Sequence, residues 1–258
     1  MKSVLDHGYV KLVESWGSDE RIIEAARQST GKGFKGWGIL KCLYCDVTSL
    51  TGRLPDTRCP TGRGGAHVVN EKFQAGDEKL LRFLWENKHH TPFEMGGVTI
   101  EVQAPIFVLR EWHRHRTQSY NEMSARYTQI PTQDYIPTVG RLLMDGGMNK
   151  QAQALPGKVL ESVHAQEWLD ELQRIYFRIE EHYQLGLQLG VPKELARLPL
   201  PVARYSRMRA SANLRNWLWF LGLRNDPRAQ FEIRQYAIEV DNLIKGLFPR
   251  THAIVHSS

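Results

Sequence analysis

Four Arg and two His stand against two Glu in Arg110-Glu111-Trp112-His113-Arg114-His115-Arg116-Thr117-Gln118-Ser119-Tyr120-Asn121-Glu122-Met123-Ser124-Ala125-Arg126-Tyr127. A solvated helix mixes charge signs and uses Lys, so this composition points to anion binding. Guanidinium suits that task, because its planar fork grips phosphate bidentately and keeps its charge when partly buried. A second cluster runs from Arg197 to Arg228, with seven Arg, no Lys and one acid, Asp226. Its surplus equals the net +6 of the whole 258-residue chain, which carries 34 Lys and Arg against 28 Asp and Glu. Bulk charge alone admits nucleic acid as readily as nucleotides. Ser124 would need a neighbouring base to act as a nucleophile, and its Arg-rich surroundings favour a phosphate ligand instead.

The elements that must position these residues read as a mixed α/β chain. Tyr9–Val13 is extended, and a helix follows from an N-cap at Ser18 to about Ser29, with Ile22, Ile23, Ala25 and Ala26 inward. Residues 31–76 form an irregular insertion punctuated by Gly31, Gly33, Gly36, Gly38, Pro55, Pro60, Gly62, Gly64 and Gly65. A helix spans about 77–86. Strict alternation of Val98, Ile100, Val102 and Ala104 with Thr99, Glu101 and Gln103 predicts a half-buried strand, and Pro105 opens a helix to about Thr117. That helix would place Arg110 and Arg114 on one face. Trp168, Leu169, Leu172, Ile175, Ile179 and Tyr183 predict a long amphipathic helix closed by Gly190, and Asp226-Pro227 a helix start with a buried stripe from Ile233 to Leu247.

The extended pattern Arg-His-Arg-x-x-Ser-x-Asn-Glu-x-Ser-x-Arg-Tyr at 114–127 resembles the signature of the flavin-dependent thymidylate synthases. Its four core positions alone would arise by chance on the order of 10⁻³ times in such a chain. His89-His90-Thr91-Pro92-Phe93-Glu94, Ala25-Ala26-Arg27-Gln28-Ser29, Val191 to Arg197, Asn213-Leu214-Arg215 and Leu221-Gly222-Leu223-Arg224 are similar to further family segments in the same order. The resemblance covers roughly 1–30 and 77–250 and omits most of the insertion. It implies a single α/β domain over 1–258 with a mixed sheet and packed helices, assembled as a homotetramer with active sites at subunit interfaces. It also implies methylation of dUMP to dTMP, with 5,10-methylenetetrahydrofolate as carbon donor and NADPH as reductant through bound FAD.

Carried over position by position, the resemblance assigns His89, Thr91, Arg114, His115, Arg116, Glu122, Asn213, Leu214 and Arg215 to FAD. It assigns Glu111, Arg114, Glu122, Ser124, Arg126, Arg197 and Arg224 to dUMP, with Arg224 as the catalytic residue beside the uracil. Glu111 stands where the family often has Gln, Met95 and Arg228 where it often has His, and Trp219 where Asn is common. Those departures leave open a related flavin enzyme for another pyrimidine nucleotide. A basic nucleic-acid-binding protein is the reading from another class, and the motif spacing argues against it. Arg204, Arg207 and Arg209 alternate on an extended piece and are expected to pair with acids across a subunit interface, while Trp217 and Trp219 are expected in core or interface rather than as a stacking platform.

Cys42-x-x-Cys45 with Cys59 and His67 offers a three-Cys, one-His zinc set, but the irregular later spacing favours plain thiols and no metal. Apolar runs such as Trp217 to Leu223 fall short of the roughly 18 residues that span a bilayer. With three Cys and no apolar run of signal length near Met1, the expected location is the cytoplasm.

Overall fold

In the chain's computed structural model, residues 1–38, 40–45, 47–49, 54, 57–61, 65–68, 76–144 and 158–257 are described. Pro55, Gly62 and Gly64 of the insertion lie outside them. β1 (Lys2–Val4) turns back antiparallel on β2 (Gly8–Trp16), Val4 opposite Gly8. A side chain at Gly8 would collide with the Tyr236 hydroxyl, so the strand needs glycine there. α1 (Asp19–Arg27) starts where Ser18 accepts the Arg21 N–H at 3.4 Å, with Asp19 and Glu20 in its first turn and Arg27 in its last, all favourable to the helix dipole.

The insertion holds more order than its composition suggests, since β3 (Leu40–Lys41) pairs antiparallel with β4 (Thr48–Ser49). Then come α2 (Asp77–Glu86), β5 (Gly97–Pro105), α3 (Ile106–Trp112), β6 (Ser119–Glu122), α4 (Val139–Leu142), α5 (Ser162–Gln188), α6 (Lys193–Ala196), β7 (Tyr205–Asn213), α7 (Leu214–Arg224), α8 (Phe231–Leu247) and α9 (Pro249–Val255). Five strands form one sheet in the order β1-β2-β5-β7-β6, so the α/β expectation holds.

The chain divides into two compact units, both discontinuous. The first takes in 1–14, 98–212 and 216–241. Its core joins Ile100, Val102 and Ala104 of β5 to an aromatic cluster in which Trp112 stacks on Phe220 at 4.7 Å and meets Trp217 edge-on at 6.4 Å. The second takes in 15–97, 213–215 and 242–258. There Asp19 accepts from the Arg250 and Thr251 N–H groups and the Thr251 hydroxyl, which satisfies otherwise unpartnered donors at the start of α9.

Several elements depart from their sequence expectations. α3 stops at Trp112 instead of Thr117, because the Tyr120 hydroxyl donates to the Trp112 and His115 carbonyls at 3.1 and 2.7 Å and takes the place of helical donors. Arg114 therefore sits in a turn and shares no helix face with Arg110. α8 begins at Phe231, since the Asp226 carboxylate engages the backbone and guanidinium of Arg228 rather than capping a helix. Gln103, expected on the polar side of β5, is 5% exposed, donating to the His7 carbonyl and accepting from Arg207. On α5 the buried positions are Ala165, Leu169 and Tyr183, whereas Trp168 and Ile175 of the expected stripe face outward with Phe177. Among the described residues no helix is long and apolar enough to cross a membrane.

Candidate active site

The turn after α3 carries Arg114 and Arg116 exposed on either side of His115, which is 5% exposed. Among the described residues no carboxylate pairs with either Arg, so their charge remains available to a ligand. His115 packs edge-on against Phe220 at 4.9 Å. Its Nε2 accepts from Arg224 Nε at 2.9 Å, which assigns the proton to Nδ1. Burial, reinforced by the Arg224 charge, lowers the His115 pKa from 6.5 to about 4. A neutral imidazole thus stands between two cations that have no carboxylate partner among the described residues.

Arg224 closes α7 and is held at all three of its nitrogens. Besides His115, its Nη1 meets Glu111 Oε2 at 2.6 Å and its Nη2 donates to the Glu111 carbonyl at 3.1 Å. Glu111, where the resemblance leads one to expect Gln, therefore supplies a charge partner that fixes the guanidinium. Such a clamp lets Arg224 act as a preorganised cation without rearranging.

β6 carries the rest of the signature along β7, with Asn121 opposite Arg209 and Glu122 opposite Met208. Glu122 lies 3.9 Å from His113 Nε2, and His113 also reaches Met208 Sδ at 3.1 Å. Ser124 forms a tight turn, its Oγ accepting the Arg126 N–H at 3.3 Å. Among the described residues no His or carboxylate is hydrogen-bonded to this hydroxyl, in keeping with a ligand role rather than a nucleophilic one. Glu194 on α6 gathers two more cations: Arg126 reaches its carboxylate at 3.3 Å and Arg197 its carbonyl, also at 3.3 Å. The Arg126–Glu194 pair is half exposed on both sides and weak enough to yield to a bound anion.

In the second unit Thr91–Met95 forms a 3₁₀ turn with Pro92 near its start. His89 and Thr91 are exposed, and His90 stacks on Trp85 at 5.2 Å. Burial first, then Arg215 and Lys88, lower the His90 pKa. Arg215 pairs with Glu94, a partner that sequence reasoning had not assigned. The Leu214 N–H donates to the Gly96 carbonyl at 2.7 Å while its side chain is fully buried, so Leu214 positions Asn213 and Arg215 and presents no side chain to a ligand.

All residues assigned to dUMP belong to the first unit. Those assigned to FAD are divided, with Arg114, His115, Arg116 and Glu122 in the first and His89, Thr91, Asn213, Leu214 and Arg215 in the second. Sequence reasoning also left Tyr120 and His113 without roles, although an aromatic hydroxyl inside the signature was the available signal. The Arg surplus is less free than its count implies. Arg204 is fully buried between Asp134 at 2.8 Å and Glu180 at 2.7 Å, whereas Arg207 and Arg209 point outward from β7, toward Gln103 and Glu101. The acids Asp134, Glu180 and Glu101 belong to the same chain as Arg204 and Arg209, and the partner of Arg207 is an amide. Trp217 is core, as expected, whereas Trp219 is 66% exposed, because the two-residue step from one to the other turns it to the opposite side of α7.

The family described as thymidylate synthase complementing protein matches residues 11–250. The flavin-dependent thymidylate synthase of Rickettsia prowazekii (strain Madrid E) is 33% identical over 259 residues, covering 96% of this chain and 76% of that protein. That of Thermosipho melanesiensis is 34% identical over 251 residues, covering 96% and 90%. Among solved structures, the UMP/dUMP methylase PolB from Streptomyces cacaoi bound with 5-Br UMP superposes with a TM-score of 0.71 at 28% identity, over 99% of this chain and 96% of that one. Its complex with 5-Br dUMP gives 0.71 at 30% identity, over 100% and 97%.

Proposed function

The chain belongs to the thymidylate synthase complementing protein family, and on that basis we propose that it is a flavin-dependent thymidylate synthase converting dUMP to dTMP. In this reading the one-carbon unit comes from 5,10-methylenetetrahydrofolate and two electrons from NADPH, while the C5 proton of uracil leaves. FAD, when bound, relays those electrons. The observation that carries the proposal is the pair of exposed guanidiniums, without a carboxylate partner among the described residues, around a neutral His115 that touches the clamped Arg224. That donor set fits a dinucleotide's phosphates: Arg114 and Arg116 meet the charge, and neutral His115 adds none. The family resemblance adds His89, Thr91, Asn213 and Arg215 as further residues that would hold the flavin. Glu122, Ser124, Arg126 and Arg197 hold the nucleotide, and Arg224 stabilises negative charge developing on the uracil.

The outward apolar positions of α5, Trp168, Ile175 and Phe177, support assembly with further copies, for which we propose the homotetramer. Action on UMP is the second reading, favoured by the likeness to a protein called a UMP/dUMP methylase and by Glu111 in place of Gln. The test is the visible spectrum of the purified protein followed by turnover of dUMP and UMP in parallel. A flavin band at roughly 450 nm with dUMP preferred supports the proposal. Preference for UMP selects the second reading. A colourless protein that takes up no added FAD overturns both.

A further inference from the structure

The methylation chemistry has no use for the four soft ligand groups gathered in the insertion. β3 pairs with β4, and next to that pairing the Cys42 N–H donates to the Val47 carbonyl at 2.9 Å. Further on, the Cys59 N–H donates to the Gly65 carbonyl at 2.9 Å, two residues before His67. The Leu43 N–H donates to the Val68 carbonyl at 2.7 Å, which brings the Cys42 and His67 stretches together. As a result Cys42 Sγ and Cys59 Sγ are 3.8 Å apart, Cys59 Sγ and Cys45 Sγ 3.8 Å, and Cys45 Sγ and His67 Nδ1 3.4 Å. All four ligand atoms lie within 4.8 Å of one another.

These spacings discriminate between the available chemistries. A disulfide would bring one pair of sulfurs to about 2.0 Å and leave the third apart. Thiolates about 2.3 Å from a tetrahedral zinc ion stand about 3.8 Å from each other, and an imidazole nitrogen stands about 3.5 Å from a thiolate. The observed edges match the second case. The surroundings match it as well, because the buried apolar cluster here consists of Cys42, Cys59 and Leu54, with Cys45 and Val47 against it. A segment whose core is made of its own thiols is too small to hold by burial alone and needs a staple. With Nδ1 turned to Cys45, the other ring nitrogen of His67 faces the Thr57 hydroxyl at 3.4 Å, the outer hydrogen bond that fixes a metal-binding imidazole.

We propose that Cys42, Cys45, Cys59 and His67 bind one zinc ion as a structural Cys₃His site that fastens the insertion. Three thiols lose their protons on binding, and four protein ligands leave no position for water or substrate. The proposal is independent of the methylation reading. Its test is metal analysis of the full chain, purified without a metal-affinity tag or chelator, together with cobalt(II) substitution. One zinc per chain is expected, with thiolate charge-transfer and tetrahedral bands in the cobalt form. Cys45→Ser and His67→Ala should lose the metal yet keep bound flavin. Zinc at background level, both as purified and after reduced protein is incubated with zinc, overturns the proposal. So does undiminished zinc in a Cys45→Ser, Cys59→Ser double variant. The cobalt spectrum is read on the unaltered chain, so the test stands even if a variant fails to fold.

Discussion

Lowering the pH to about 5 should cost the protein about 2 kcal/mol of stability through His115 alone. Its pKa falls from 6.5 in the open chain to about 4 in the fold, chiefly by burial and then by Arg224. Above 6.5 the imidazole is neutral in both states and contributes nothing to pH dependence. Between 6.5 and 4 only the unfolded chain takes up the proton, so stability falls as pH falls and levels off below the folded value. Each pKa unit is about 1.4 kcal/mol, so the full span is about 3 kcal/mol, about two-thirds of it reached by pH 5. At 5% exposure, solvent screening does little to reduce this. The assay is urea unfolding at neutral pH and at about pH 5, on wild type and on His115→Asn at matched flavin content. Carboxylates that titrate in the same range are common to both proteins and cancel in the comparison. Wild type should lose about 2 kcal/mol more than the variant. Losses equal to within about 0.5 kcal/mol would refute a buried neutral imidazole in the turn.

Arg224→Ala should retain flavin yet lose methylation by at least about 100-fold, as expected for removing a fixed donor from a developing charge. Wild-type turnover in that variant would take Arg224 out of catalysis. Arg114→Ala and Arg116→Ala should each weaken flavin binding by about 10- to 100-fold, the value of one charge-assisted contact, measured by flavin retention on gel filtration. Undiminished retention in both would move the phosphates elsewhere. Arg204→Met should destabilise the fold by about 3–5 kcal/mol in urea unfolding, since it strands Asp134 and Glu180 without their shared cation. An unchanged midpoint would show that the buried ion cluster contributes no net stability.

Local signals made much of the fold legible. The Ser18 cap, the period of α2 and the alternation of β5 each act within a few residues, and each element formed where its pattern lies. What depended on distant partners was not legible. α3 ends at Trp112 because a hydroxyl from the following strand caps its carbonyls, and α5 turns Trp168 and Ile175 outward because burial selects Ala165, Leu169 and Tyr183. Charge counting located the Arg clusters but could not reveal their acids. Glu94, Glu111, Asp134 and Glu180 reach Arg215, Arg224 and Arg204 only through the fold. The same four residues, Cys42, Cys45, Cys59 and His67, are legible as a possible zinc set, but the irregular spacing does not show that they converge, which the fold alone brings about. The motif spacing at 114–127 marks candidate site residues without the geometry that joins His115, Glu111 and Arg224.

Methylation of dUMP is measured with dUMP labelled with tritium at uracil C5, flavin-loaded protein, 5,10-methylenetetrahydrofolate and NADPH. A flavin-dependent thymidylate synthase should release tritium to water in step with dTMP formed, and the Arg224→Ala variant should do neither. Flavin-loaded protein that leaves the label on dUMP while all co-substrates are present would contradict that reading.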